Sequence, residues 1–276
     1  PSALNLSQIQ ARADAGDSDA QLQLYFALKN GELGLAADPK AAITWLHKAA
    51  EHGSPKAQNL LGIAYEKGTD IEQSEEEALV WYTRAASDGN ADAQGNVGRM
   101  HHLGKATPQD YIKAAEWYEK AAVNGQSEAQ HNLGNIYLHG EGVEKNNAEA
   151  FKWFSRAADE SNFGPSQANL ARMYFEGRGI EKNYVKAGEY YRLALTNGVE
   201  DTRPFIESSR IRCLGDSKNV AKTVVADCLV SAGAGDAEAQ FIIGTLYDSG
   251  TYLKQSREEA LRWFEKAAFQ NEPKAQ

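Results

Sequence analysis

Four histidines that fall in two neighbouring segments of the chain are the residues best suited by type to metal chemistry. They are His101, His102, His131 and His139. A zinc site requires three or four such ligands within about 2.1 Å of one ion. The chain contains several similar segments, described below. His101 stands at a position where the other segments have tyrosine, and His139 lies at the end of its segment, so we expect the two side chains to point in different directions. The sequence therefore predicts packed or solvated histidines, with no metal and no cofactor.

Motifs for nucleophilic catalysis and for phosphate binding are missing from the sequence. No GxSxG, HExxH, P-loop or GxGxxG pattern occurs in a suitable context, and Gly177-Arg178-Gly179 reads as a turn between helices. A nucleophile, a base and a group that orients the base cannot be assembled from these residues. We therefore predict a protein that is not an enzyme. A hydrolase or a β-lactam-binding protein centred on the histidines is the least favoured alternative.

The two cysteines, Cys213 and Cys228, are too few for a fold built on disulfides and lack the CxxC spacing of a metal site. They lie on either side of one expected turn, where facing helices can bring their Cα atoms within reach of a disulfide in an oxidising compartment. Cys228 also falls beside a position that is tryptophan in other segments. A reduced thiol that packs as a small core residue is the alternative.

Side-chain amides and guanidinium groups recur at helical spacing in the middle of the chain. The predicted partner-binding residues are Asn96, Arg99, Asn132, Asn135, His139, Asn169, Arg172 and Phe175. Residues three or four apart share one face of a helix. Amides and guanidinium groups suit an extended peptide backbone or a carboxylate, and a phenylalanine can add an apolar anchor. In the alternative interpretation, the asparagines bond neighbouring helices, and the phenylalanine is buried against the next helix.

A repeat of 36 or 37 residues positions these side chains. An Ala-Gln pair recurs along the chain at residues 20, 57, 93, 129, 239 and 275, with Ser166-Gln167 in one gap. An aromatic ladder keeps the same register, and its members are Trp45, Trp81, Trp117, Trp153, Tyr190 and Trp263. Self-similarity at this period indicates stacked supersecondary units. We predict that each ladder residue is buried between the helices of successive hairpins.

Each repeat reads as two helices. The first starts beside the Ala-Gln pair, carries an apolar stripe that contains a glycine, and stops at a loop glycine such as Gly68 or Gly104. The second starts seven residues before the ladder residue, at an N-cap such as Ser74 or Asp110. We expect the glycine within the stripe to let the second helix approach closely. One degenerate unit falls at about 200–235, where we expect a hairpin of altered geometry.

The segment Ala129–Tyr137, then Gly140–Val143, Ala150–Phe154 and Ala157-Ala158, resembles the Sel1-like repeat, a relative of the tetratricopeptide repeat. The resemblance covers nearly the whole chain and implies an all-α fold, a right-handed α/α superhelical solenoid of Sel1-like hairpins. We expect one solenoid over residues 1–276 with about seven hairpins and with both ends inside repeats. The resemblance also implies a scaffold or adaptor, of bacterial type, that binds a protein or peptide on its concave surface.

Composition limits the partners. The formal net charge is −9, with 38 acidic and 29 basic residues, so nucleic acid is disfavoured at long range. No apolar run is long enough to cross a bilayer. Because the family occurs in these roles, an immunity protein that neutralises a secreted toxin is the alternative function, and a host-interaction factor of a pathogen is the next. The compartment stays open, with the periplasm or export favoured over the cytoplasm.

Overall fold

The computed structural model describes residues 5–214 and 224–271, and every regular element in these two ranges is helical. None of the described helices combines the length and the apolar character that spanning a bilayer requires. The helices are α1 Leu6–Asp14, α2 Ser18–Asn30, α3 Pro39–Glu51, α4 Pro55–Lys67, α5 Glu75–Ser87, α6 Ala91–Leu103, α7 Tyr111–Val123, α8 Ser127–His139, α9 Asn147–Ser161, α10 Gly164–Glu176, α11 Tyr184–Thr196, α12 Arg203–Leu214, α13 Val225–Gly233, α14 Ala237–Ser249 and α15 Arg257–Asn271.

The helix ends follow the predicted capping residues. The side chains of Asp38, Ser74 and Asp110 accept a backbone N–H from the first turn of α3, α5 and α7. At the other end, Gly68 and Gly104 take the left-handed conformation after α4 and α6, with φ of 65° and 68°. These caps satisfy backbone groups that a helix leaves unpaired at its ends. They also limit most helices to 13 residues, so the pairs are of uniform length.

The glycine within each apolar stripe allows the close approach that the sequence predicts. A Cβ atom built on Gly134 would lie 2.6 Å from the ring of Phe154, and one on Gly62 would lie 2.6 Å from the ring of Tyr82. Both distances are shorter than any normal carbon contact. The missing side chain therefore lets an aromatic ring of the second helix rest on the backbone of the first.

The aromatic ladder is buried less uniformly than predicted. Trp81, Trp153 and Trp263 are buried, but Trp45, Trp117 and Tyr190 are only half buried. The next residue along the chain is buried more deeply in most pairs, as with Tyr118 and Phe154. One face of a half-buried tryptophan can contact a cation from the next turn of its helix. The ammonium group of Lys120 lies 4.0 Å from the ring centre of Trp117.

The helices group into two compact units. The N-terminal unit comprises residues 1–133 and 141–144, and the C-terminal unit comprises residues 134–140 and 145–276. In the N-terminal unit, Leu46 and Leu61 lie in one apolar cluster and Tyr82 lies in another. In the C-terminal unit, Phe154 and Leu170 share a cluster. Each unit therefore has apolar clusters of its own.

The predicted degenerate unit contains a short 3-10 turn at Glu200–Thr202 and then α12 and α13. Residues 215–223 between the two helices lie outside the described residues. Cys213 on α12 and Cys228 on α13 are joined by a disulfide, with their Cα atoms 4.8 Å apart. Helix α13 packs on α11, the preceding second helix, more extensively than α12 does. The order of packing therefore differs from that of the other pairs.

Candidate functional site

Each hairpin consists of a first helix, helix A, and a second helix. The candidate site is the face of the A helices that carries the predicted partner-binding residues, and we call it the helix-A face. In the N-terminal unit it contains Asn96, Arg99 and Asn132. Asn96 donates from Nδ2 to Oδ1 of Asn59 on the preceding first helix, at 3.0 Å. The side chain of Asn132 lies close to the hydroxyl group of Tyr118 on α7. Both amides therefore contact neighbouring helices, in line with the alternative interpretation of the sequence, while they stay partly exposed.

Arg99 belongs to a charged network that the sequence did not reveal. Its Nη1 and Nη2 donate to Oε1 and Oε2 of Glu66 at 2.7 and 2.6 Å, and the hydroxyl of Tyr82 donates to Oε2 of Glu66 at 2.8 Å. The hydrogen bonds from Arg99, assisted by the one from Tyr82, lower the pKa of Glu66 to about 2. Arg99 is therefore a positioned, paired cation and not a free one.

Acid is expected to weaken the N-terminal unit through Glu66. The pKa of Glu66 in the folded chain lies below its ordinary value of 4.5, so the charged form stabilises the fold. This stabilisation is complete above about pH 4.5 and is lost as the pH falls towards 2. We expect Glu66→Gln to reduce the free energy of unfolding by about 2 kcal/mol at pH 7. Urea denaturation between pH 7 and pH 2.5 measures the difference, which should shrink with acid. A difference that is independent of pH would contradict the role of the charge.

In the C-terminal unit the helix-A face contains Asn135, His139, Asn169 and Arg172. Asn169 donates from Nδ2 to Oδ1 of Asn135 at 3.1 Å, so the two first helices are bridged by a partly exposed amide pair. Arg172 is exposed and lies close to the hydroxyl group of Tyr191. His139 is exposed at the end of α8. The structure thus places an amide pair and an exposed guanidinium group on one surface of this unit.

Phe175, the predicted apolar anchor, is partly buried by its own chain. Its ring lies 5.5 Å from the ring of Tyr184 and 5.2 Å from the ring of Phe205 on α12, both in edge contact. The sequence could not place Phe205, because the degenerate unit departs from the repeat. Any partner that uses Phe175 has to share or displace these contacts.

The four histidines have different environments. His131 is partly buried, and burial lowers its pKa to about 4. Burial also lowers the pKa of His101, whereas His139 is exposed. The ring of His102 meets the ring of Tyr111 edge-on at 5.2 Å. Within residues 5–214 and 224–271, no three His, Cys, Asp or Glu side chains are grouped as a metal site requires.

The glutamine of the Ala-Gln pair marks the repeat in the sequence and also has a structural role in the folded chain. Its Nε2 donates to the carbonyl oxygen eight residues earlier, at the end of the preceding second helix. The measured pairs are Gln21 to Ala13 at 2.8 Å, Gln58 to Ala50 at 3.2 Å, Gln94 to Ala86 at 3.2 Å, Gln130 to Ala122 at 3.1 Å and Gln240 to Ala232 at 3.1 Å. The glutamine therefore joins one helix pair to the next.

In some repeats the other atom of the glutamine amide, Oε1, accepts a bond from the end of the second helix in its own pair, whereas the Oε1 atoms of Gln58 and Gln130 have no partner among the described residues. Asn124 donates to Gln94 at 3.1 Å, and Asn197 donates to Gln167 at 2.8 Å, each from thirty residues further on. Gln58 has Asp88 at the corresponding position, and a carboxylate has no proton to donate. Among the described residues, the buried Oε1 of Gln58 has no hydrogen-bond partner. A polar residue thirty positions after each glutamine was the signal that could have revealed this joint.

Asp88→Asn is expected to stabilise the N-terminal unit by about 1 kcal/mol. The new amide can donate to Oε1 of Gln58, and a negative charge is removed from the C-terminal end of α5. Asp88 and Asn124 have similar backbone angles, with φ and ψ of −85° and 12° and of −80° and 9°. Thermal and urea denaturation measure the change. The matched control, Asn124→Asp, should lower stability by a similar amount, and a loss of stability in Asp88→Asn would refute the joint.

Comparison with known proteins identifies the repeat. The Sel1 repeat model matches residues 18–54, 55–90, 91–125, 127–162, 164–199 and 237–271, and the gap at 200–236 coincides with the degenerate unit. The structure is similar to that of a protective antigen from uropathogenic Escherichia coli with an SLR fold, with 29% identity and a TM-score of 0.69. That match covers 97% of this chain and 57% of the antigen, so the chain spans a little over half of the antigen's length.

A Sel1 repeat protein from Oxalobacter formigenes is also similar, with 27% identity, a TM-score of 0.64 and coverage of 97% of this chain and 93% of that one. No match was found among curated proteins. Sel1 repeats generally serve protein–protein interaction, and proteins built from them are generally scaffolds without enzymatic activity. The predicted fold class, an all-α solenoid of helical hairpins, is confirmed by these neighbours. The chain belongs to the Sel1-repeat family.

Proposed function

We infer that this protein is a scaffold without catalytic activity and that it binds a protein or peptide partner on the helix-A face of its C-terminal unit. The observation that carries the proposal is the exposed guanidinium group of Arg172, close to the hydroxyl of Tyr191, on the face that also carries the amide pair of Asn135 and Asn169. The core does not require the charge of Arg172, since its side chain is exposed. The amide pair is held by its own hydrogen bond, so it loses little conformational entropy when a partner binds.

The chemistry of this face favours an acidic group on the partner. A guanidinium group binds a carboxylate through two parallel hydrogen bonds, and an amide pair can bond the adjacent peptide backbone. Asn169 uses one N–H of its amide in the bond to Asn135, and the second N–H of the same amide group can donate to a partner. An extended segment with an Asp, a Glu or a terminal carboxylate therefore fits this surface. Toxin neutralisation and host interaction remain predictions from the sequence, as does a periplasmic or exported location.

The proposal is tested by comparing Arg172→Glu with the unaltered protein. Affinity capture from the source organism identifies the partner, and calorimetry with the purified partner gives the Kd. Because a charge-assisted bond is lost and a like charge is introduced, we expect binding to weaken by roughly 10- to 100-fold. Arg156→Glu on α9, a second helix, is the matched control and should bind normally. Equal Kd values for Arg172→Glu and the unaltered protein, with unchanged circular dichroism, would refute this surface.

A further inference from the structure

Helix α12 occupies the first-helix position of the degenerate unit but does not behave as a core helix. Of its twelve residues, only Ser209 and Cys213 are buried. The first helices α4 and α10 bury six and seven residues. Helix α12 therefore lies on the surface of the stack and contributes little to its interior.

The space next to α11 is taken by α13. A Cβ atom on Gly188 of α11 would overlap the carbonyl oxygen of Val230 on α13, and one on Gly233 would overlap the carbonyl oxygen of Val185. Two glycines thus bring the backbones of α11 and α13 into direct contact. Because α13 fills this place, α12 is displaced to the outside of the pair.

The displaced helix covers an aromatic cluster that consists of Phe175, Tyr184 and Tyr191. The ring of Phe205 on α12 lies 4.4 Å from that of Tyr191 and 5.2 Å from that of Phe175. Phe205 is one of the apolar side chains of α12 that pack on this part of the core. The cluster lies next to the helix-A face, because the hydroxyl group of Tyr191 is also close to Arg172.

The strongest restraint on the C-terminal end of α12 is a covalent bond, the disulfide of Cys213. Arg210 and Arg212 form ion pairs with Asp236 and Asp227, each at 2.6 Å, but both arginines are about half exposed, at 53% and 49%. Ion pairs of exposed arginines contribute little to stability because water competes for the charges. The disulfide between Cys213 and Cys228 holds the same end and is fully buried.

We propose that α12 is a tethered cover over the aromatic cluster and that the oxidation state of the Cys213–Cys228 pair decides whether the cluster is covered. A dithiol reductant breaks the S–S bond with two electrons, each cysteine sulfur takes up one proton, and the dithiol becomes a disulfide. Helix α12 then loses its buried restraint at the C-terminal end and keeps the two exposed ion pairs there. At its start it keeps the 3-10 turn, where the hydroxyl of Thr202 donates to the carbonyl of Val199 at 2.8 Å. The uncovered cluster fits a partner helix that offers an aromatic side chain as Phe205 does, and this regulation rests on the proposed function.

Hydrogen exchange of the oxidised and the reduced protein tests the cover without any partner. We expect the protection of the amides in α12 to fall on the order of 100-fold after treatment with dithiothreitol, because the closed loop no longer restrains the helix. Protection in α4 and α10 should not change. Fluorescence of the apolar dye 1-anilinonaphthalene-8-sulfonate should rise as the cluster is uncovered. Thiol titration after unfolding should find no thiols before reduction and two afterwards.

Three variants keep the test decisive. Phe205→Ala should increase dye binding while the disulfide stays intact, whereas Ile211→Ala, at a side chain 68% exposed on the same helix, should not. The double variant Cys213→Ala/Cys228→Ala replaces chemical reduction if the reagent does not reach the buried sulfurs. Equal protection of α12 with and without the bridge, or two thiols in the untreated protein, would overturn the cover. Either result leaves the Kd of Arg172→Glu unaffected, so the failure of the cover and that of the proposed function are distinguishable.

Discussion

Phe154→Ala is expected to lower the free energy of unfolding by about 3–5 kcal/mol, because it empties a fully buried aromatic site in the C-terminal unit. The ring of Phe154 rests on the bare backbone of Gly134, and a glycine has no side chain that could move into the cavity. Urea denaturation followed by circular dichroism measures the loss. A loss below about 1 kcal/mol would show that the ring is not a core element.

Trp117→Ala and Gly134→Ala provide the controls. Trp117 is half buried and its ring faces Lys120, so its removal should cost clearly less than the removal of Phe154. A methyl group at position 134 would lie 2.6 Å from the ring of Phe154, so Gly134→Ala should also destabilise the protein. In the double variant the methyl group enters the space that the ring has left. We therefore expect a combined loss below the sum of the two single losses.

Gly188→Ala is expected to lower the free energy of unfolding by about 3 kcal/mol, at the upper end of what overpacking costs. The added Cβ would meet the carbonyl oxygen of Val230 and, at 2.8 Å, the backbone nitrogen of Ala234. These are backbone atoms of α13 and of its C-cap residue, and they cannot turn away as a side chain does. The helices must separate instead, which disturbs the contact through which the degenerate unit joins the stack. Thermal and urea denaturation measure the loss.

Gly95→Ala is the matched control, since Gly95 is also a helical glycine. Its new Cβ would lie 3.3 Å from the end of the flexible side chain of Gln126. Alanine also has the higher helix propensity, by about 1 kcal/mol. We expect a change between a small gain and a small loss. Similar losses for Gly188→Ala and Gly95→Ala would mean that the approach of α11 and α13 is looser than described.

The sequence predicted the features that repeat. Loop glycines such as Gly68 and N-caps such as Ser74 recur at fixed positions, so their roles as helix ends could be read from spacing and residue type. The glycine of the apolar stripe was also read correctly as a place of close approach. Spacing could not tell which aromatic residue lies deeper, because Trp117 and Tyr118 are neighbours and only the packing of the adjacent helix distinguishes them.

Prediction was harder at polar positions and in the unit that breaks the repeat. Asn96 and Arg99 were assigned to a partner from their shared face, but the residues that engage them, Asn59 and Glu66, are 37 and 33 positions away in sequence. A pairing across that distance depends on how the helices stack. Phe175 shows the second limit, since Phe205 comes from a helix whose position no repeat specifies.

The repeat glutamines hydrogen-bond the ends of two second helices, and we call this set of bonds the glutamine joint. The joint affects how such a chain can gain or lose repeats. Each complete joint takes its acceptor from the eight residues before the glutamine and its donor from the thirty residues after it, so both partners lie in a short stretch of sequence. A duplication or deletion that keeps this stretch intact would carry a complete set of bonds to the new boundary. A segment copied from Ala50 to Asp88 would instead repeat the Oε1 acceptor of Gln58 without a donor. We therefore expect shuffled or engineered chains to tolerate the segment from Ala86 to Asn124 better than the one from Ala50 to Asp88.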